Sequence, residues 1–179
     1  GPNGAILDDA ILYAANNGAQ VITMSLTVGQ SQAIDDALAY AYNTKGAFID
    51  CASGNNSSSA VGYPSSHPDV MAIGATDHND VRASWSNYGS DLEVVAPGVN
   101  VLTTGLNNTY QTNSGTSFSA PCTAGVAALM LSKNPGLTAA QVRQTLKDTA
   151  DDVGTAGYDL QTGYGRINAK RAVDAVPGP

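Results

Sequence analysis

The chain has 179 residues, enough for one domain with a sizeable core, and with 42% apolar and 13% charged residues it lies far from disordered compositions. Its net charge of −7 argues against nucleic acid or an anionic membrane surface as a partner. No apolar run reaches the roughly 18 residues of a membrane span, and no basic segment leads into an apolar one as in a secretory signal.

Gly1-Pro2-Asn3-Gly4 opens the chain abruptly and reads as a cut boundary as much as a natural start. Residues 5 to 17 place Ile6, Ala10, Tyr13 and Ala14 at helical spacing, with Asn17-Gly18 as the stop. Val21 to Leu26 is a short apolar run that predicts a buried strand. Ser31 is placed to cap a second helix through about Tyr42, with Ala33, Ile34, Ala37, Leu38 and Ala41 on one face. Gly46 to Ile49 begins another strand. Alternating helix and strand predicts a parallel sheet covered by helices, an α/β fold. Asp50 falls inside that second strand, where a carboxylate is costly unless paired.

The loop Ala52-Ser53-Gly54-Asn55-Asn56-Ser57-Ser58-Ser59 follows, at the carboxyl end of a strand, where open parallel sheets bind ligands. It also reads as an ordinary polar turn. Val70 to Ala75 predicts a third strand and Val99 to Thr104 a further short one, with Asn107-Asn108 as a hairpin tip. Gly115-Thr116-Ser117 then runs into Phe118-Ser119-Ala120-Pro121 and the apolar segment Gly125 to Leu131, a helix that reads as too apolar for a surface. A serine here is commonly an N-cap. It can equally place its hydroxyl where backbone N–H groups converge at the positive helix end and stabilise an anion forming on a carbonyl. Asn134-Pro135-Gly136 ends this helix, Thr138 starts another bearing Val142 and Leu146, and a last helix runs to about Val176. Two cysteines, Cys51 and Cys122, make neither a disulfide framework nor a zinc site; they read as small core residues, with a Cys51–Cys122 bridge as the alternative.

Gly115-Thr116-Ser117-Phe118-Ser119-Ala120-Pro121 closely resembles the nucleophile motif of the subtilisin-like serine proteases (subtilases, peptidase family S8). Ser53-Gly54-Asn55, Arg82 to Gly98 and Gly163-Tyr164-Gly165-Arg166-Ile167-Asn168-Ala169 resemble later family patterns in the same order. The resemblance implies a three-layer α/β fold with a mostly parallel sheet, and residues 1–179 as a catalytic domain whose amino-terminal part is missing. It implies a serine endopeptidase working through an acyl-enzyme on Ser117, with Asn55 and the Ser117 N–H as oxyanion donors. Ser25, Leu26, Ala52, Ser53, Gly54 and Thr116 become substrate-binding positions. Small residues at 51–54 suggest room for a large apolar side chain, whereas Thr27 stands where the family's Ser-Leu-Gly strand has glycine.

The family's aspartate and histidine motifs do not occur in this sequence. His67 and His78 both follow the Asn55 loop and read as solvated loop residues. Serine needs an adjacent base, so the chain alone is expected to be inactive, with the missing amino-terminal part as a candidate second chain. A non-catalytic peptide-binding or structural module on the same scaffold is the alternative. The resemblance also implies peptide or protein substrates, a secreted location and no required cofactor. Calcium enters only as a structural ion, at the loop Ser65 to Val70 or among Asp151, Asp152 and Asp159.

Overall fold

The computed structural model describes residues 6–178. The reading of Gly1 to Gly4 and the predicted helix start at residue 5 lie outside the described residues.

Helix α1 (Leu7–Asn16) carries Asp8 and Asp9 in its first turn, favourable against the helix dipole, and stops as predicted, with Gly18 at φ +82°. Its inner face is Ile11 and Ala15, while Ile6 and Tyr13 are exposed. The predicted stripe is therefore turned by one residue, because leucine and isoleucine compete for the core more strongly than alanine and tyrosine. Strand β1 (Val21–Met24) is two residues shorter than predicted: Ser25 and Leu26 leave the sheet. Helix α2 (Gln32–Ala39) buries Ile34, Ala37 and Leu38 and widens into a π turn over Tyr40–Thr44. Ser31 holds the cap position, but its hydroxyl makes no capping bond.

Strands β2 (Phe48–Ala52), β3 (Met71–Thr76) and β4 (Leu92–Pro97) complete a parallel sheet in the order β1-β2-β3-β4. Alternation along β2 divides the core. Phe48 and Ala52 join Met71, Ile73, Val94 and Ala96 under helix α3 (Thr116–Lys133), while Ile49 and Cys51 join Ile22 and Met24 under α1 and α2. Helices α4 (Ala139–Asp148) and α5 (Ala169–Ala175) close the α3 side. Thr138 and Gln141 form a reciprocal capping box at the α4 start. Strands β5 (Val101–Thr104) and β6 (Tyr110–Asn113) form an antiparallel hairpin whose tip includes Asn107 and Asn108, both at φ +58°. The fold is thus α/β in three layers, as expected.

One expectation changes, and the readings of the cysteines and of Asp50 are decided. Helix α3 is not buried all round: Pro121, Gly125, Ala128, Leu129 and Ser132 form an exposed stripe. Together with Gln20 and Val21 of the β1 side, which has no further strand partner among the described residues, its end borders a groove of about 390 Å³. The cysteines are both free. Cys51 faces the α1–α2 core whereas Cys122 packs against the core on the other side of the sheet, so the strand layer separates them. Asp50 is fully buried and neither carboxyl oxygen has a hydrogen-bond partner among the described residues. Burial raises its pKa to about 8; the nearby Thr23 hydroxyl opposes this without being placed to bond it.

Candidate active site

Ser25, Leu26, Thr27, Ala52, Gly54, Asn55, Asn56, Thr116 and Ser117 line one open cleft of about 450 Å³. It lies beyond the carboxyl ends of β1 and β2, where the first turn of α3 meets them. Its construction starts at Gly115, the N-cap of α3, which has no side chain to satisfy the free N–H groups of the helix. Asn55 supplies the missing acceptor from another part of the chain. Its Oδ1 accepts from the Thr116 N–H and from the Thr116 hydroxyl, each at 2.9 Å. The same hydroxyl accepts from the Gly54 N–H at 3.3 Å.

This bonding fixes the orientation of the Asn55 amide. Oδ1 is spent on the helix, so both Nδ2 hydrogens remain, with no partner among the described residues. Ser117 is the second residue of α3 and not its cap, which corrects the capping reading. Its N–H also finds no partner among the described residues, as expected in a first turn. Two unspent donors therefore line the same cleft as the Ser117 hydroxyl.

The carbonyl of Ser117 has its own arrangement. In an α-helix it would accept from residue 121, but Pro121 has no N–H. The Ser25 hydroxyl takes that place, donating to the Ser117 carbonyl at 2.9 Å. One hydrogen bond thereby ties the end of β1 to the turn that carries Ser117.

Asn87 supports the opposite wall, a role the sequence did not reveal. It is 4% exposed, donates through Nδ2 to the Ser53 carbonyl at 3.1 Å, and accepts at Oδ1 from the Asn56 and Ser58 N–H groups. Gly54 makes room for it: at φ +108°, a Cβ there would sit 2.4 Å from Asn87 Nδ2. The only available signal was the run Ser86-Asn87-Tyr88-Gly89, and nothing in it points to a loop thirty residues earlier. Of the sequence-derived site residues, Ser53 is the one outside the cleft. Its buried hydroxyl donates to the Asn87 carbonyl at 3.2 Å. Thr27 and Asn56 join the lining instead.

Neither histidine lines the cleft. His67 Nε2 lies 3.8 Å from Asp35, and its Nδ1 accepts from the Asp69 N–H, so it is tied into its loop and not free in solvent. His78 borders a separate depression with Asp77 and Asp80. Neither cysteine is an activated thiol: burial first, then the neighbouring Asp50, pushes Cys51 up to about 12, and burial also raises Cys122.

The expected calcium positions have internal partners. In the loop Ser65 to Val70, the carbonyls of Pro68 and Val70 accept from the Arg143 guanidinium, itself paired with Glu93. Asp151 bonds Arg166, Asn168 and Arg171, and these hold its carboxyl below the usual range. Asp152 accepts from the Gly157 N–H, and Asp159 from Thr155, Gln161 and Thr162. Among the described residues no three His, Cys, Asp or Glu side chains converge as metal ligands, and no helix is long and apolar enough to cross a membrane.

The model of the subtilase family, peptidase S8, matches residues 2–165. A thermophilic serine proteinase of Bacillus sp. (strain AK1) is 43% identical over 166 residues, covering 92% of this chain and 40% of that protein. Subtilisin BL of Lederbergia lenta is 40% identical over 160 residues, covering 89% of this chain and 58% of its own length. The solved structure of the prenylagaramide maturation protease PagA superposes with a TM-score of 0.88 at 27% identity, over 99% of this chain and 69% of that one. The chain thus spans roughly half the length of the curated relatives it matches.

Proposed function

The chain belongs to the subtilase family, and on that premise we propose that residues 1–179 form part of a serine endopeptidase catalytic domain, with Ser117 as the nucleophile that forms an acyl-enzyme. The observation that carries the reading is the double commitment of Asn55 Oδ1 to Thr116, which leaves Asn55 Nδ2 and the Ser117 N–H unspent in the cleft of the Ser117 hydroxyl. A neutral amide and a backbone N–H are suited to an oxyanion because each donates a hydrogen bond without ionising, and their orientation is set before substrate arrives. Ser25, Leu26, Ala52, Gly54 and Thr116 line the bed for a peptide substrate, and Ser53 supports it from below.

Serine at its ordinary pKa requires a base. With neither histidine in the cleft, the general base and its orienting carboxylate come from polypeptide beyond this chain, and the chain alone does not turn over substrate. The edge of β1, which has no further strand partner among the described residues, and the exposed stripe of α3 offer such polypeptide a place to pack. A peptide or protein substrate, a secreted location and no required cofactor belong to the same reading, with calcium in a structural role at most.

The test is labelling by a fluorophosphonate, followed by intact mass. The chain alone should remain unlabelled while showing a folded circular-dichroism spectrum. A chimera extended at its amino end by the preceding segment of subtilisin DY, a relative from Bacillus licheniformis that is 43% identical over 171 residues, should label once and hydrolyse peptides. Ser117→Ala should abolish both, and Asn55→Ala should lower kcat, since losing one such donor in subtilisin costs about 2.7–4 kcal/mol. Hydrolysis that survives Ser117→Ala overturns the assignment. A folded chimera that never labels favours the peptide-binding module instead.

A further inference from the structure

Asn55 is exposed, yet its direction is set from the buried side of its loop. A residue is oriented by the two planar peptides that flank it, and here both are held by Asn87. The carbonyl of the Gly54–Asn55 peptide accepts from the Asn87 N–H at 2.9 Å. The N–H of the Asn55–Asn56 peptide donates to Asn87 Oδ1 at 3.1 Å. Neither φ nor ψ of Asn55 can turn far without breaking one of these bonds. Asn87 is anchored in its turn. It is buried, and the hydroxyl of the preceding residue, Ser86, accepts from the Ala75 N–H of β3 at 3.0 Å. A line of hydrogen bonds thus runs from the sheet through Asn87 to the backbone of Asn55, whose side chain meets Thr116 on α3.

We infer that Asn87 is a positioning residue for the reaction, fixing the backbone from which the Asn55 Nδ2 donor projects toward the forming oxyanion. The inference rests on the protease reading above. Asn87 does not line the cleft, so it acts through Asn55 and not on substrate. The two restraints on Asn55 divide the work. Thr116 holds Oδ1 and so decides which way the amide faces; Asn87 holds the flanking peptides and so decides where the amide sits. Position matters as much as presence: losing an oxyanion donor costs about 100- to 1,000-fold in kcat, and a misplacement of about 1 Å can cost about 100-fold. A change at position 87 is therefore felt mainly in kcat.

The test separates aiming from stability. Asn87→Asp keeps an oxygen for the Asn56 N–H but loses the Nδ2 donation to the Ser53 carbonyl, so it weakens the fold without freeing Asn55. Asn87→Ala loses both. In the 15N,13C-labelled chain, the scalar coupling from the Thr116 nitrogen to Asn55 Cγ, across the Thr116 N–H···Oδ1 bond, reports the placement. It should vanish in folded Asn87→Ala and persist in Asn87→Asp. The wild-type chain gives a reading without any variant: the Asn55 side-chain amide should have an order parameter near the rigid value of about 0.85, and one below about 0.6 overturns the inference. In the amino-terminally extended chimera, with active sites counted by the fluorophosphonate end point, Asn87→Ala should lower kcat by about 10-fold or more and change KM less. A coupling that survives in Asn87→Ala, a coupling lost equally in both variants, or an unchanged kcat overturns the inference and leaves the protease reading standing. A folded chimera that never labels overturns the protease reading, and this role with it.

Discussion

Replacing Ser25 by Ala should cost stability by an amount that depends on whether residue 121 is proline. The Ser25 hydroxyl donates at 2.9 Å to the Ser117 carbonyl, which lacks its helical partner because Pro121 has no N–H. A hydrogen bond of this kind contributes about 0.5–1.5 kcal/mol net. The Ser117 carbonyl lies beside an open cleft, where water can replace part of the loss, so Ser25→Ala should cost about 1 kcal/mol and not the full price of a buried orphan. Pro121→Ala restores an N–H at the right position, four residues beyond Ser117. In that background Ser25→Ala should cost no more than about 0.3 kcal/mol, giving a coupling near 0.7 kcal/mol. Urea denaturation of the wild-type chain, both single variants and the double variant measures this directly. Additive effects would mean that the hydroxyl is not filling the place vacated by proline, and the account of how β1 is tied to the turn that carries Ser117 would fall.

Asp50 makes stability pH-dependent in a defined window. Its carboxyl ionises at an ordinary 3.8 when unfolded but holds its proton to about 8 in the buried strand, so folding takes up a proton between those values. The stability it permits is intact below about pH 4, declines as pH rises toward 8, and changes little beyond, with a slope of at most about 1.4 kcal/mol per pH unit. Asp50→Val should therefore stabilise the chain progressively more from pH 5 to pH 8; parallel wild-type and variant curves would show that the carboxyl does not titrate as described. Asn87→Ala removes three side-chain hydrogen bonds from a buried residue and should destabilise the chain by about 1–3 kcal/mol. Hydrogen exchange at the Asn56 and Ser58 amides should accelerate first, and unchanged protection there would remove Asn87 from its supporting role.

The sequence by itself determined what depends on local pattern. Alternating apolar helices and β-branched runs dictated a parallel sheet between helical layers, because each element has one face that must leave water. Asn17-Gly18, Thr138 and the paired asparagines at 107–108 marked ends and turns through chemistry confined to a few neighbours. The run from Gly115 to Pro121 marked the segment proposed to carry the nucleophile, and Ser53-Gly54-Asn55 its candidate donor, because both are short contiguous motifs.

Tertiary structure decided which donors remain free and which side chains enter the cleft. Asn55 is oriented by Thr116, sixty-one residues away, and Ser117 is tethered by Ser25, ninety-two residues away. Asn87 braces a loop that precedes it by about thirty positions. The cysteines part company across the sheet, and the α3 stripe is exposed, because strand alternation and layer order assign each residue a side. Hydrogen bonds and close approaches between distant segments leave no periodicity in the chain. They exist only where packing has brought the partners together.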